Sequence, residues 1–435
     1  MDGTTAYVAA AAYLEGRRVA PACVEVGPDG RIVRVGAAAP AGAAARVVDL
    51  GRVLLLPGFV NAHSHAFQRL IRGATQRFGA GDPSTFWSWR AAMYETAARL
   101  DPEGVEAAAT RAFREMVAAG ITTVGEFHYL HHRPDGRPYE DPNELSERVA
   151  AAARAAGLRV VLLEVYYARG GPGRPLEPAQ RRFADGDVDR YVARLEDLAA
   201  RGHRVGVAPH SVRAVDRRAL EALVGVARAR SWPLHIHLSE QPAENEACRA
   251  EHGTTPAGLL EAAGALDGGC NTTAVHATFL TEADVARLGR ARVCLCPTTE
   301  ADLGDGLAPA GPLLSAGARF CFGSDSNAVI DLVQEARLAE MGERLRTNRR
   351  LCLRAGGAQV AESLLAFATA EGAAALGLGG ETGILAPGRW FDACTVDLTD
   401  PLFEGVADDR ILDTLLTCGT ARCVRDVFVE GRRVR

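Results

Sequence analysis

The sequence predicts an α/β protein: a (β/α)8 TIM-like barrel with a small β-sandwich domain formed by both termini. Three observations predict it. From residue 53 onward, short apolar runs alternate eight times with Ala-, Leu- and Arg-rich segments of helical spacing. The two chain ends share another texture, in which short β-prone runs are broken by Gly and Pro turns. An open doubly wound sheet, the structural competitor, would normally carry a G-x-G-x-x-G loop after its first strand, and that pattern is missing there.

Residues 1–56 form the first part of the small β domain in this reading. Cys23–Val26 leads into a turn at Pro28-Asp29-Gly30-Arg31, followed by Ile32–Val35 and Val47–Leu50. The Ala/Gly/Pro stretch at 36–46 is too weakly patterned to be a helix core. Residues 57–380 make the barrel, whose first strand takes in the apolar run just before it. Its strands are expected at Val53–Val60, Thr122–Glu126, Arg159–Val165, Arg204–Ala208, Leu234–Leu238, Thr273–His276, Arg292–Cys296 and Arg319–Gly323. They are short and apolar on both faces, as buried parallel strands are. Helices are expected at Pro102–Ala119, Leu145–Ala156, Asp189–Arg201 and Arg217–Ala229, among others. Residues 381–435 return to strand and turn, with Ala393–Leu398 and the run Val424–Val434 around Glu430-Gly431 completing the small domain.

Composition excludes several classes. With 435 residues, 48% apolar and 24% charged, the chain is globular in character. Its net charge of −5 gives no global attraction to nucleic acid or anionic lipid. The basic run Arg344 to Arg350 is interrupted by Asn348 and reads as solvated surface. Ten cysteines occur without a C-x-x-C pair. Cys294 and Cys296 would share one strand face, too far apart for an easy disulfide. A reducing compartment fits such a chain. The N-terminus has no basic region ahead of its short apolar run, and no apolar stretch reaches the roughly eighteen residues that cross a bilayer. The expectation is a cytoplasmic protein with no nucleic-acid or membrane partner.

The strongest chemical signal is Asn61-Ala62-His63-Ser64-His65, at the end of the first apolar run. In an extended backbone residues i and i+2 face the same way, so His63 and His65 offer two imidazoles to one point. A single histidine there would more often be structural. His235-Ile236-His237 ends the fifth strand, His276 the sixth, and Ser324-Asp325-Ser326 follows the eighth. Strand C-termini of such a barrel converge on one mouth. Three imidazoles and a carboxylate make a mononuclear zinc set, although nitrogen and oxygen ligands also suit iron or manganese. Spacing does not separate His235 from His237.

These segments carry a family resemblance. NAHSHAFQR at 61–69, HIHLSE at 235–240, VHAT at 275–278, PTTEADLGDG at 297–306 and GSDSN at 323–327 resemble the amidohydrolase superfamily. The runs Phe86-Trp87-Ser88-Trp89-Arg90, Glu126-Phe127-His128-Tyr129 and Ala208-Pro209-His210-Ser211-Val212-Arg213 resemble, within it, the formimidoylglutamate deiminases. The resemblance extends to both chain ends and implies a barrel of the amidohydrolase type. It implies one Zn2+ per subunit, with Fe2+ or Mn2+ as alternatives, on His63, His65, His237 and Asp325. It gives Glu240 the part of proton shuttle, and His276, with Asp325, that of holding the attacking hydroxide. A carboxylated lysine is not expected; His210 stands at the end of the fourth strand. Gln68, Arg90, Tyr129, His210 and Arg213 match positions lining the substrate pocket. The implied reaction is hydrolysis of N-formimino-L-glutamate to N-formyl-L-glutamate and ammonia, in histidine degradation, by a homodimer. N-Formimino-L-aspartate, a nucleobase or a nucleoside is the alternative substrate. One departure is Asn327, where relatives often have histidine. The aromatic run at 86–89 is either packing or part of a wall or lid over the pocket.

Overall fold

The protein is described by a computed structural model over residues 3–37, 46–77 and 85–435. Eight parallel strands follow one another in chain order: Phe59–Ser64, Ile121–His128, Arg159–Tyr166, Val205–Pro209, Leu234–Leu238, Thr272–His276, Arg292–Leu295 and Arg319–Phe322. A parallel bridge between Ser64 and Asp325 brings the first and last together. There the Asp325 N–H donates to the His63 carbonyl at 3.0 Å, and the His65 N–H donates to the Asp325 carbonyl at 2.9 Å. The result is a TIM-type barrel.

Helices cover it, and their ends obey local rules. Pro102–Ala118 starts with Pro at its first position, and the Asp101 side chain accepts from the Gly104 N–H. Glu144–Ala156 stops at Gly157, whose φ of 73° suits a residue without a side chain. Val188–Ala200 and Arg217–Arg230 lie close to their expected positions. The basic run sits at the end of helix Leu332–Thr347, where Arg344 pairs with Glu340 at 2.7 Å and Arg346 with Glu343 at 2.6 Å. All ten cysteines are free thiols. Among the described residues no helix is long and apolar enough to cross a membrane.

The expected first strand, Val53–Val60, is really two. Val53–Pro57 belongs to a terminal sheet, and the chain enters the barrel at Phe59. Alternate side chains explain why hydropathy hid the switch: Val53 and Leu55 enter the terminal core, while Leu54 and Leu56 enter the barrel core. Both faces of the run are therefore apolar. Gly58 marks the break, since a Cβ there would run into the side chain of Thr122.

The chain ends form two sheets. One has the order Ile32–Gly36, Ala22–Val26, Thr5–Ala9, Arg46–Asp49. The other runs Arg432–Arg433, Val424–Val429, Ala393–Asp397, Val53–Pro57, Ala11–Leu14, Arg17–Val19. Val24 and Ile32 from the first share a core with Leu14, Val53, Leu55 and Phe428 from the second. The strands at 5–9, 11–14 and 17–19 escaped the sequence reading because alanine, which is depleted in strands, dominates the first two. Of the stretch at 36–46, residues 38–45 lie outside the described residues.

Close approach between strands depends on two glycines. Leu163 on the third strand occupies space beside Gly125 and Gly206 on its neighbours. A Cβ at Gly125 would lie 2.7 Å from the Ala62 carbonyl oxygen and 3.1 Å from Leu163 Cδ1, and one at Gly206 would lie 2.5 Å from Leu163 Cδ2. Gly125→Ala is expected to destabilise the fold by about 1–3 kcal/mol through overpacking. The measurement is the denaturation midpoint, which should fall at unchanged denaturant slope.

Candidate active site

The strand ends deliver the expected ligands to one point. One ligand atom each from His63, His65, His237 and Asp325 all lie within 4.8 Å of one another, and all four residues are buried. His63 Nε2 is 3.1 Å from His237 Nε2 and 3.5 Å from Asp325 Oδ1, and His65 Nε2 is 3.3 Å from the same oxygen. Four ligands at about 2.0–2.2 Å from a tetrahedral ion stand roughly 3.3–3.5 Å apart, so this spacing fits one cation.

The rest of the environment fits as well. His65 Nδ1 lies 2.9 Å from the Phe127 carbonyl and His237 Nδ1 lies 3.1 Å from the His210 carbonyl. Donation of Nδ1–H to those carbonyls leaves each Nε2 lone pair facing the centre. Burial pulls the pKa of His63 down to about 3 and that of His237 well below the usual imidazole range. Both are thus neutral, the form that binds metal. Burial works against the charge of Asp325, but the adjoining His63 and His65 hold its carboxyl well below the usual range.

His235 is resolved as structural. Its Nε2 lies 3.0 Å from the Ala375 carbonyl and its Nδ1 has no partner among the described residues, while His237 takes the place in the cluster.

The expected acid–base groups, Glu240 and His276, stand beside the cluster. His276 Nε2 is 3.7 Å from Asp325 Oδ2 and 3.8 Å from Glu240 Oε1. His276 has a φ of 70° and Asp325 one of 46°, left-handed values that are uncommon for residues with side chains. Burial acts to lower the pKa of His276, but Glu300, Glu240 and Asp325 together hold it up, to about 10. Glu300, whose Oε1 is 3.3 Å from His276 Nδ1, orients that ring. Asn327 stitches the neighbouring backbone: its Nδ2 donates to Ser64 Oγ at 3.1 Å and to the His65 carbonyl at 3.0 Å. Its φ of 57° is one that asparagine tolerates well. The asparagine thus ties the two sides of the closing seam together.

Above the cluster opens a cavity of about 430 Å³ lined by His65, His237, Glu240 and Asp325 together with all five expected pocket residues, Gln68, Arg90, Tyr129, His210 and Arg213. Gln68 Nε2 donates to the Tyr129 hydroxyl at 2.6 Å, and Gln68 Oε1 has no partner among the described residues. His210 is held neutral by burial and by the nearby Arg213 charge. Arg90 stacks over Trp87 at 4.7 Å and Tyr94 at 5.3 Å. The aromatic run opens helix Phe86–Ala98, and Phe86, Trp87 and Trp89 form a wall of the cavity.

Four contributors were missed from sequence. Glu300 lay in a quoted motif without a role, and Glu244 is one carboxylate among 54 acidic residues. Arg174 sits in a Gly/Pro-rich loop without periodicity, and Tyr167 lies just beyond the third strand; both line the cavity.

Fold and site together define a class, the barrel hydrolases with a cation-binding mouth flanked by acid–base groups. The chain belongs to the amidohydrolase family, which it matches over residues 54–434. It is 41% identical to the formimidoylglutamate deiminase of Pseudomonas aeruginosa, covering 94% of this chain and 90% of that protein. It is 32% identical to a 5-methylthioadenosine/S-adenosylhomocysteine deaminase of Syntrophobacter fumaroxidans, covering 97% and 89%. Among solved structures, an amidohydrolase from Brucella melitensis superposes with a TM-score of 0.89 at 34% identity, covering 99% of this chain and 94% of that one. These relationships make the protein a hydrolase whose relatives act on C–N bonds.

Proposed function

We propose that the protein hydrolyses N-formimino-L-glutamate to N-formyl-L-glutamate and ammonia, serving histidine degradation, with Zn2+ as the preferred cation. The observation that carries this reading is the set of guanidinium groups in the cavity: Arg90, Arg174 and Arg213 line a space whose floor is the ligand cluster. A substrate with two carboxylates needs such partners, and guanidinium groups bind carboxylates in bidentate fashion. A purine could stack on the aromatic wall but would leave these cations without a partner on the substrate. The relative at 41% identity supports the same substrate.

A cation held by His63, His65, His237 and Asp325 supplies, when bound, Lewis acidity and a water whose pKa falls from about 15.7 toward about 7. Asp325 Oδ2 and His276 Nε2 are placed to orient the attacking oxygen. Glu240 takes up one proton of the attacking water and delivers it to the imino nitrogen. As the new C–O bond forms, the C=N bond becomes single; the proton of the new hydroxyl then passes by way of Asp325 to that nitrogen, and cleavage of the C–N bond releases ammonia and leaves the formyl carbonyl. The bond from the formyl carbon to the glutamate nitrogen stays intact. Tyr129 and His210 contact the carboxylate or formimino end, and the unpartnered Gln68 Oε1 accepts from a substrate N–H.

The test is ammonia release from formiminoglutamate by metal-characterised protein, run beside formiminoaspartate and nucleobase or nucleoside substrates. The shorter homologue differs by one methylene, worth about 1–3 kcal/mol, so weak cross-activity is expected. Fast turnover of a ring substrate with none of formiminoglutamate would overturn the assignment. Arg213→Ala is expected to raise KM by roughly 10–100-fold, the loss of one charge-assisted contact of about 1.5–3 kcal/mol, with metal content unchanged.

A further inference from the structure

Glu244 is buried, 1% exposed, yet it lines the cavity and has no part in the chemistry described so far. It lies in the first turn of helix Pro242–His252, where the helix dipole favours an anion. Its two oxygens face different partners. Oε1 accepts from the Ser239 N–H at 3.0 Å. Oε2 lies 3.0 Å from an Arg213 guanidinium nitrogen, while the other terminal nitrogen of Arg213 donates to Glu240 Oε2 at 2.7 Å.

We propose that Glu244 is a positioning residue of this site, fixing with one oxygen the turn that presents Glu240 and with the other the guanidinium of Arg213. The inference rests on the roles proposed above for Glu240 and Arg213. Two physical problems are met by this one carboxylate. Ser239 has a φ of 50°, unfavourable for a residue with a side chain, and such a conformation persists only where its surroundings hold it. The N–H of Ser239 itself is held by Glu244. The second problem is that an arginine beside a single carboxylate closes on it in a bidentate pair. Arg213 paired with Glu240 alone would occupy both the proton shuttle and the cation meant for the substrate. Shared with Glu244, the guanidinium keeps a permanent anchor on the side away from Glu240. An arriving substrate carboxylate then competes with Glu240 for one face of Arg213, and Glu240 is freed as the substrate binds. Specificity for an anionic substrate and readiness of the proton shuttle are thereby tied to one buried anion.

The experiment uses the full-length metal-loaded enzyme. Glu244→Gln keeps the shape and an oxygen for the Ser239 N–H but turns an N–H donor toward Arg213. The expected result is an unchanged metal content and a KM for formiminoglutamate raised roughly 10–100-fold, the counterpart of one lost charge-assisted contact. In an Arg213→Ala background the same substitution should change KM by less than about twofold, because the group through which it acts is gone. An unchanged KM, or the same increase in both backgrounds, overturns the Arg213 half. Two substrate-free readouts separate this inference from the substrate assignment. Labelling of Arg213 by phenylglyoxal should accelerate several-fold in Glu244→Gln. Amide exchange at Ser239 should quicken at least tenfold in Glu244→Ala and stay near wild type in Glu244→Gln. Should Glu244→Ala fail to fold, rapid exchange at this amide in Glu244→Gln would contradict an anchoring carboxamide oxygen and overturn the turn-holding half. If the wild type leaves formiminoglutamate untouched, the substrate assignment falls, while labelling and exchange still decide the role of Glu244.

Discussion

Glu240→Gln is expected to retain the bound cation and lose turnover by about 10²–10⁴-fold, the usual contribution of a placed general acid–base. The amide keeps the size of the side chain and can still accept from Arg213, which donates to Oε2 at 2.7 Å in the wild type. It cannot carry a proton to the imino nitrogen. Glu240 is outside the four-residue cluster, so metal analysis should return wild-type stoichiometry. Ammonia release measured beside metal content separates the two roles; wild-type turnover in this variant would remove Glu240 from proton transfer.

The other large effect belongs to Asp325→Asn. One carboxylate oxygen stands 3.5 Å from His63 Nε2 and 3.3 Å from His65 Nε2, and the second stands 3.7 Å from His276 Nε2. A single substitution thus removes the anionic ligand and the charge that faces His276. Turnover should fall by at least about 10³-fold, and metal content should fall with it, since preorganised charge at such a site is worth about 10²–10³ by itself. The backbone of residue 325 keeps its bonds to His63 and His65, so the melting temperature of the metal-free protein should move little. Full metal occupancy with normal turnover would refute the ligand role.

Much of this architecture was legible before any coordinates. The barrel was readable because buried parallel strands are apolar throughout and are separated by amphipathic helices. The mouth was readable because histidine is rare in this chain, at 11 residues, and H-x-H at a strand end has few structural uses. The limits were physical as well. Val53–Pro57 and Phe59–Ser64 look like one strand because both are covered on two sides, and hydropathy reports coverage without naming the covering layer. His235 and His237 share a strand face, and only the Ala375 carbonyl, 140 residues away, tells them apart. Glu244 meets Arg213 and Glu300 meets His276 from other segments of the chain, so nothing in their local pattern distinguished them from solvated acids. The aromatic run at 86–89 revealed a cluster without saying which way it faced.

The stitch at the seam of the barrel has a consequence for how the enzyme is made. Ser64 and Asn327, hydrogen-bonded across that seam, are separated by 263 positions in the chain. The first pair of imidazoles leaves the ribosome early, but it has neither its carboxylate nor its fixed orientation until the last strand arrives. A cation held by all four residues therefore requires a chain that has already come full circle. A nascent chain released before residue 325 would have no complete cage in which to trap an ion.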